Sequence, residues 1–268
     1  MKDYHSFFPK FHFFAKLLLY RFKKELFGLG NKFSKDCKIA MANKFAKIKP
    51  ENYNKFKKIF QYFVIYFISY PFFKIFFRVE INGRENVPKD GAYIVASNHS
   101  SYFDPFIVCL ATKRSVAFMA KEELFHVPVL SPIIQALGAF SVNREKLEIS
   151  TIKSAKDVLS KTKWLLGIFP EGTRVKAKKV GKINSGFGYL AKTTKTKVLP
   201  VGIDFRRPFC PFFGKLVVRI GPLIEVSSNP EELLDKWGKS ISELTGFYYR
   251  KEDSIQSETG TATDSTPV

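Results

Sequence analysis

His99 and Asp104 stand five positions apart in Asn98-His99-Ser100-Ser101-Tyr102-Phe103-Asp104. A neutral imidazole titrates near pH ~6.5 and can take a proton from a hydroxyl, and a carboxylate on its other nitrogen fixes the tautomer. Further along come Gly138-Ala139-Phe140-Ser141-Val142-Asn143-Arg144, then Phe169-Pro170-Glu171-Gly172-Thr173-Arg174, then Val198-Leu199-Pro200-Val201-Gly202. Arg144 and Arg174 offer planar guanidinium forks suited to a phosphomonoester. Thr173 can donate a hydroxyl hydrogen bond, Gly172 permits positive φ or close approach, and Glu171 can hold a hydroxyl or position an arginine. Together these residues suggest a base that activates an alcohol beside a site that holds an anion. Plainer readings exist for each part: Asp104 as a helix N-cap beside Pro105 with His99 a polar loop residue, and Glu171–Arg174 as an ion pair bracing a turn.

The surrounding pattern must bring those residues together. Gly91-Ala92-Tyr93-Ile94-Val95-Ala96-Ser97 is a short apolar run behind a Pro88-Lys89-Asp90-Gly91 turn and reads as a buried strand. Pro105 then opens a helix through Ala111. His99 is thus expected in a strand-to-helix loop at the carboxyl end of a strand, where open α/β sheets place their sites. On one continuous helix, five residues would set the two side chains about 140° apart; a loop lets them meet. Lys163 to Phe169 reads as another strand, which puts Glu171 to Arg174 in a second such loop. Val198 to Ile203 reads as a third, with Pro200 either shaping the site or packed in the core.

The four blocks, in this order, resemble those of the glycerolipid acyltransferases, especially the 1-acyl-sn-glycerol-3-phosphate acyltransferases. Phe-Pro-Glu-Gly-Thr-Arg is the most specific of them; H-x4-D and G-x5-R alone are weak. The resemblance covers about residues 80–225 and implies an α/β fold: a single mixed sheet flanked by helices, preceded by N-terminal membrane-associating helices. It further implies that His99, oriented by Asp104, acts as general base on the free hydroxyl of lysophosphatidic acid. That oxygen would attack the thioester of acyl-CoA or acyl-carrier protein, with no other cofactor and no metal. Arg144, Glu171, Gly172, Thr173 and Arg174 would bind phosphate and glycerol. Ser97, Ser100 and Ser101 leave a covalent route open. One departure stands out. Family members commonly carry a lysine just before the glycine aligned with Gly186, where this chain has Asn184-Ser185, and Lys182 is the candidate to compensate. The same chemistry on glycerol 3-phosphate, another lysophospholipid or a lyso-aminolipid is the alternative, as is a non-enzymatic lipid- or nucleic-acid-binding protein on this fold.

A net charge of +20 over 268 residues calls for an anionic partner, and 29 phenylalanines crowd toward the N-terminus. Basic residues interleaved with aromatics suit a lipid interface or single-stranded nucleic acid. The apolar run Ile59 to Phe73, broken by Lys74 before Ile75-Phe76-Phe77, favours anionic membrane lipids, and nucleic acid is not expected. Fifteen helical residues cover about 22 Å, short of a hydrocarbon core of ~30 Å. Basic flanks on both sides give no clear orientation; the aromatic content and Pro71 favour a helix or helical hairpin in the cytoplasmic-face interface, with a span open if Lys74 snorkels and a buried core helix as the remaining reading. A bacterial inner membrane is the expected setting, with a plastid left open.

Residues 1–58 form a basic, aromatic extension without the form of a signal peptide; residues 59–79 are the membrane-associating segment, 80–250 the acyltransferase domain and 251–268 a disordered tail. Ser228-Asn229-Pro230-Glu231-Glu232 starts a final helix with a buried stripe of Leu233, Leu234, Trp237, Ile241 and Leu244. Cys37, Cys109 and Cys210 are scattered and odd in number, which suggests neither a disulfide framework nor a zinc site.

Overall fold

The computed structural model describes residues 50–127, 129–142, 149–206 and 214–255. Arg144, Cys37, Cys210, residues 1–49 of the N-terminal extension and residues 256–268 of the tail lie outside them.

Seven strands form one mixed sheet in the order β1-β7-β6-β2-β5-β3-β4. They are β1 (Phe77–Asn82), β2 (Ile94–Ser97), β3 (Val116–Lys121), β4 (Phe140–Val142), β5 (Leu165–Ile168), β6 (Val198–Arg206) and β7 (Gly214–Ile220). From β6 to β4 every neighbour is parallel. β7 pairs antiparallel with β6, and β1 pairs parallel with β7. The central strands carry side chains buried on both faces, which is why they read as unbroken apolar runs rather than alternating ones.

Helices cover both faces. On one face α3 (Asp104–Thr112) packs Ile107, Val108 and Leu110 against Val95, Leu165, Leu199 and Val201. On the other lie α5 (Ile149–Lys161), α6 (Ser185–Thr194) and α7 (Pro230–Thr245), which bury Val158, Phe187, Leu190, Leu234 and Trp237. As expected, Asn229 caps α7 by accepting from Glu231 N at 3.0 Å, and Gly246 ends it at φ +74°. Trp237 is fully buried and its Nε1 donates to Ala96 O at 3.2 Å, which anchors α7 directly behind β2. A short helix, α8 (Lys251–Ser254), follows; Ile183 N donates to Ser254 O at 2.7 Å and Ile255 is buried. Ordered packing therefore continues four residues beyond the expected start of a disordered tail.

The apolar segment runs from Lys55 to Phe76 as one helix of 22 residues: α1 (Lys55–Phe63), a π-helical stretch (Val64–Ser69) and α2 (Tyr70–Phe76). At 1.5 Å per residue it is about 33 Å long, longer than the sequence suggested, because the helix extends beyond the apolar run, back to Lys55 and through Lys74 to Phe76. Its inner face is pinned to the domain. Gln61 Nε2 donates to Val116 O at 2.9 Å and Leu137 O at 2.8 Å, while Gln61 Oε1 accepts from Val116 N at 3.3 Å. Ile65 and Phe73 are buried against the α3 face of the sheet. The outer face exposes Phe56, Ile59, Phe63, Phe67 and Ile75. The remaining short helix is α4 (Leu130–Ala136).

Candidate active site

β2 ends at Ser97 and α3 begins at Asp104, so His99 occupies the strand-to-helix loop at the carboxyl edge of the sheet. Asn98 sets the exit. Its side chain donates to Ile203 O at 2.9 Å and accepts from Ile203 N at 2.8 Å, extending the β2–β6 ladder by one side-chain rung. His99 Nδ1 then meets Asp104 Oδ2 at 2.8 Å. The same oxygen accepts from Ser100 N at 2.7 Å and Ser101 N at 2.8 Å. Asp104 is therefore not the N-cap of α3; Phe103 holds that place, and the carboxylate turns back into the loop. Asp104 is wholly buried, and Oδ1 has no hydrogen-bond partner among the described residues. The imidazole keeps 11% of its side-chain surface open and lies on Phe169, ring centres 4.1 Å apart and planes 19° from parallel, with Phe118 stacked beyond. In this geometry Nδ1 can donate to the carboxylate, which leaves Nε2 able to accept a proton.

The second loop is fastened to the first. Glu171 Oε2 accepts from His99 N at 2.7 Å and Oε1 accepts from Gly181 N at 2.7 Å. Val175 N donates to His99 O at 2.7 Å. Burial pushes the Glu171 carboxyl up to about 7, against the opposing pull of the Gly181 and His99 amides and with a smaller push from the Asp104 charge. Both oxygens of Glu171 accept from backbone amides in a buried site, so the carboxylate clasps the two loops together. It makes no ion pair with Arg174 among the described residues.

Gly172 has φ +64° with open space where a Cβ would go, so it is the turn, not crowding, that requires glycine. Thr173 and Arg174 are exposed beside it, and the Arg174 guanidinium carbon lies 3.5 Å from the centre of the Tyr102 ring. Lys182 is exposed too, one residue beyond the Gly181 amide. Asn184, two residues before Gly186, caps α6 by accepting from Gly186 N at 2.8 Å. β4 ends at Val142 on the same edge of the sheet, two residues before Arg144. Gly138 has φ +88°, and a Cβ there would fall 2.4 Å from Trp164. Pro200 is buried inside β6, opposite Ala96, as a core-strand residue. Of the serines near the base, Ser97 Oγ donates to Asn98 O and Ser101 Oγ accepts from Phe103 N, whereas the buried Ser100 Oγ has no hydrogen-bond partner among the described residues. Tyr102 was not singled out by the sequence; its only sign was an aromatic between the base and its carboxylate.

A pocket of about 70 Å³ opens beside this loop, between Phe169, Pro170 and Gly172 on one side and Met119, Phe187 and Leu190 on the other. No cluster of metal-binding side chains occurs among the described residues.

Residues 78–204 match the family model described as Acyltransferase. The 1-acyl-sn-glycerol-3-phosphate acyltransferase of Borreliella burgdorferi is 26% identical over 159 residues, 57% of this chain and 61% of that protein. The enzyme of the same name from Streptococcus pneumoniae is 34% identical over 114 residues, 42% of each chain. The chain thus spans between two fifths and about three fifths of these relatives' lengths. The crystal structure of the 1-acyl-sn-glycerophosphate (LPA) acyltransferase PlsC from Thermotoga maritima superposes with a TM-score of 0.51 at 22% identity, covering 86% of this chain and 87% of that one, and shares its fold. Over residues 78–204 the chain thus carries an acyltransferase domain.

Proposed function

We propose that the protein transfers a fatty acyl group from a thioester to the sn-2 hydroxyl of 1-acyl-glycerol 3-phosphate, giving phosphatidic acid. The observation that carries this reading is the 2.8 Å contact between His99 Nδ1 and buried Asp104. With Nδ1–H donated to the carboxylate, Nε2 takes the acceptor's hydroxyl proton as the oxygen attacks the thioester carbonyl. A C–O bond forms, the C–S bond breaks, and the imidazolium returns the proton to the departing thiolate. Asp104 stabilises the imidazolium, as the carboxylate does in a Ser-His-Asp triad, but the nucleophile is the substrate alcohol and no acyl-enzyme is needed. Arg174 and Thr173, exposed on the loop bonded to His99, receive the phosphate, with Arg144 and Lys182 as further cations. The relatives' names support this acceptor; acyl-CoA and acyl-carrier protein both fit as donors.

The enzyme works at a membrane surface on the cytoplasmic side, where its net charge of +20 favours anionic headgroups. Lys55–Phe76 has the length and composition to cross a bilayer, but hydrogen bonds from Gln61 to β3 and to Leu137 hold it along the domain. A crossing would break them and leave buried backbone groups unpaired. Its exposed aromatic face reaches Phe103 in the base loop through Phe72, ring centres 5.5 Å apart, so lipid meets the helix and the site mouth together.

The test is transfer from labelled acyl-CoA and acyl-carrier protein to a panel of acceptors by membranes carrying wild type or His99→Ala. Phosphatidic acid made only by wild type from lysophosphatidate is the expected result. Product on another acceptor corrects the substrate, and no product with either donor from folded protein removes the proposal.

A further inference from the structure

Arg174 lies over the ring of Tyr102, 3.5 Å from guanidinium carbon to ring centre. Both residues are exposed, yet the loops that bear them are pinned together: Val175 N, next to Arg174, donates to His99 O at 2.7 Å, and His99 N donates to Glu171 at 2.7 Å. The neighbouring Phe103 is engaged differently, against Phe72 and Phe73 of α2. The first aromatic thus meets the arginine and the second meets the helix.

Arg174 forms no ion pair among the described residues. A guanidinium that stacks through its face keeps its N–H donors, which lie in its plane, available for an anion. An unsupported arginine on a surface loop samples many rotamers and loses that freedom on binding; one resting on a ring has lost part of it beforehand.

We propose that Tyr102 is a positioning residue for the acceptor's phosphate: its ring holds the Arg174 guanidinium in the orientation that grips a phosphomonoester, and so favours phosphorylated over unphosphorylated acceptors. This rests on the acyltransferase reading above. The hydroxyl of Tyr102 is dispensable, because the contact uses the ring face.

The experiment compares wild type, Tyr102→Phe, Tyr102→Leu, Arg174→Ala and the Tyr102→Leu/Arg174→Ala double variant. Lysophosphatidate and monoacylglycerol serve as acceptors at a fixed donor concentration. Tyr102→Leu keeps an apolar side chain for the lipid surface while removing the ring; vesicle sedimentation checks that membrane binding is retained. Expected is a rise of about 3- to 10-fold in KM for lysophosphatidate, with kcat moving less than about two-fold and the kcat/KM for monoacylglycerol unchanged. Tyr102→Phe behaves as wild type, and the double variant is no worse than Arg174→Ala. Equal loss on both acceptors, a defect in Tyr102→Phe as large as in Tyr102→Leu, or additive losses in the double variant would overturn the proposal. Titration calorimetry with short-chain lysophosphatidate below its micelle concentration reads the same contact without turnover. If wild type transfers to neither acceptor but binds this ligand, and Tyr102→Leu alone of the two tyrosine variants weakens that binding 3- to 10-fold, the acyltransferase reading fails and the positioning role stands. Absence of binding by wild type ends both.

Discussion

Asp104 Oδ2 gathers three donors at once: His99 Nδ1 at 2.8 Å, Ser100 N at 2.7 Å and Ser101 N at 2.8 Å. The carboxylate that orients the base also folds the loop carrying it. Asp104→Asn keeps an oxygen for all three donors but removes the charge that stabilises the imidazolium. Its kcat falls about 10²- to 10⁴-fold with little change in melting temperature. Asp104→Ala leaves the two amides without their partner and costs about 1–3 kcal/mol of stability besides. Kinetics and thermal melts of the two variants side by side check this; an Asn variant as unstable as the Ala variant would show that charge, not the oxygen, folds the loop.

Glu171 gives the fold a pH dependence of definite sign. Its carboxyl, ordinarily near 4.5, is pushed up to about 7 by burial. Between those values the native state holds a proton that the unfolded chain has released, so this group's contribution to stability is full below pH 4.5 and falls as pH rises toward 7. The whole change corresponds to about 3 kcal/mol. Glu171→Gln cannot titrate and turns an NH2 toward one of the two amides that the carboxylate served. It is expected to be less stable than wild type at pH 5, with the gap narrowing by pH 8. Denaturant melts across this range decide the matter: parallel pH profiles for the two proteins would exclude it.

The strands bearing the two site loops were legible because parallel, doubly buried strands read as short apolar runs ending in loop residues; β2 and β5 fall within the segments expected for them. The His99–Asp104 contact was legible because a loop had to intervene for a five-residue spacing to close. The clasp by Glu171 was not, because its partners are backbone amides, and an amide at position 181 has no side-chain signature. Gln61 was hidden for a related reason: one polar residue in an aromatic run looked incidental until its partners on Val116 and Leu137 were in view. The length of the N-terminal helix was underestimated because only the apolar run was counted; the helix continues into the basic residues that flank it, from Lys55 and through Lys74 to Phe76.

A stack of three rings supports the base, and a glycine makes room for it. A Cβ on Gly167 would sit 2.5 Å from Phe118, the ring that lies under Phe169 and so under His99. Gly167→Ala must push Phe118 aside, at a cost of about 1–3 kcal/mol, and tilts the imidazole relative to its substrate, with kcat falling about 3- to 30-fold. Phe118→Leu in the same chain relieves the crowding and recovers stability. Melting curves and kcat for the single and double variants check this, and an undisturbed melting point in Gly167→Ala would mean that the stack does not bear on the ring.

The outer face of Lys55–Phe76 is predicted to hold lipid rather than protein. Phe63 and Phe67 are exposed and stack on each other at 5.3 Å, while Ile65 and Phe73 on the opposite face are buried. Each exposed ring that leaves water for acyl chains contributes about 2 kcal/mol. Phe63→Ser with Phe67→Ser is thus expected to weaken partitioning onto anionic phospholipid vesicles roughly 10²- to 10³-fold while leaving the melting temperature of the domain in place. Gln61→Leu acts in the opposite sense: it leaves the outer face apolar, so vesicle binding persists, but it strips hydrogen bonds from buried Val116 and lowers stability by about 1–3 kcal/mol. Sedimentation with vesicles and thermal melts of both variants separate the two faces. A melting-point loss in the serine pair without a change in partitioning would mean that the aromatic face packs on protein, and that the membrane is met elsewhere.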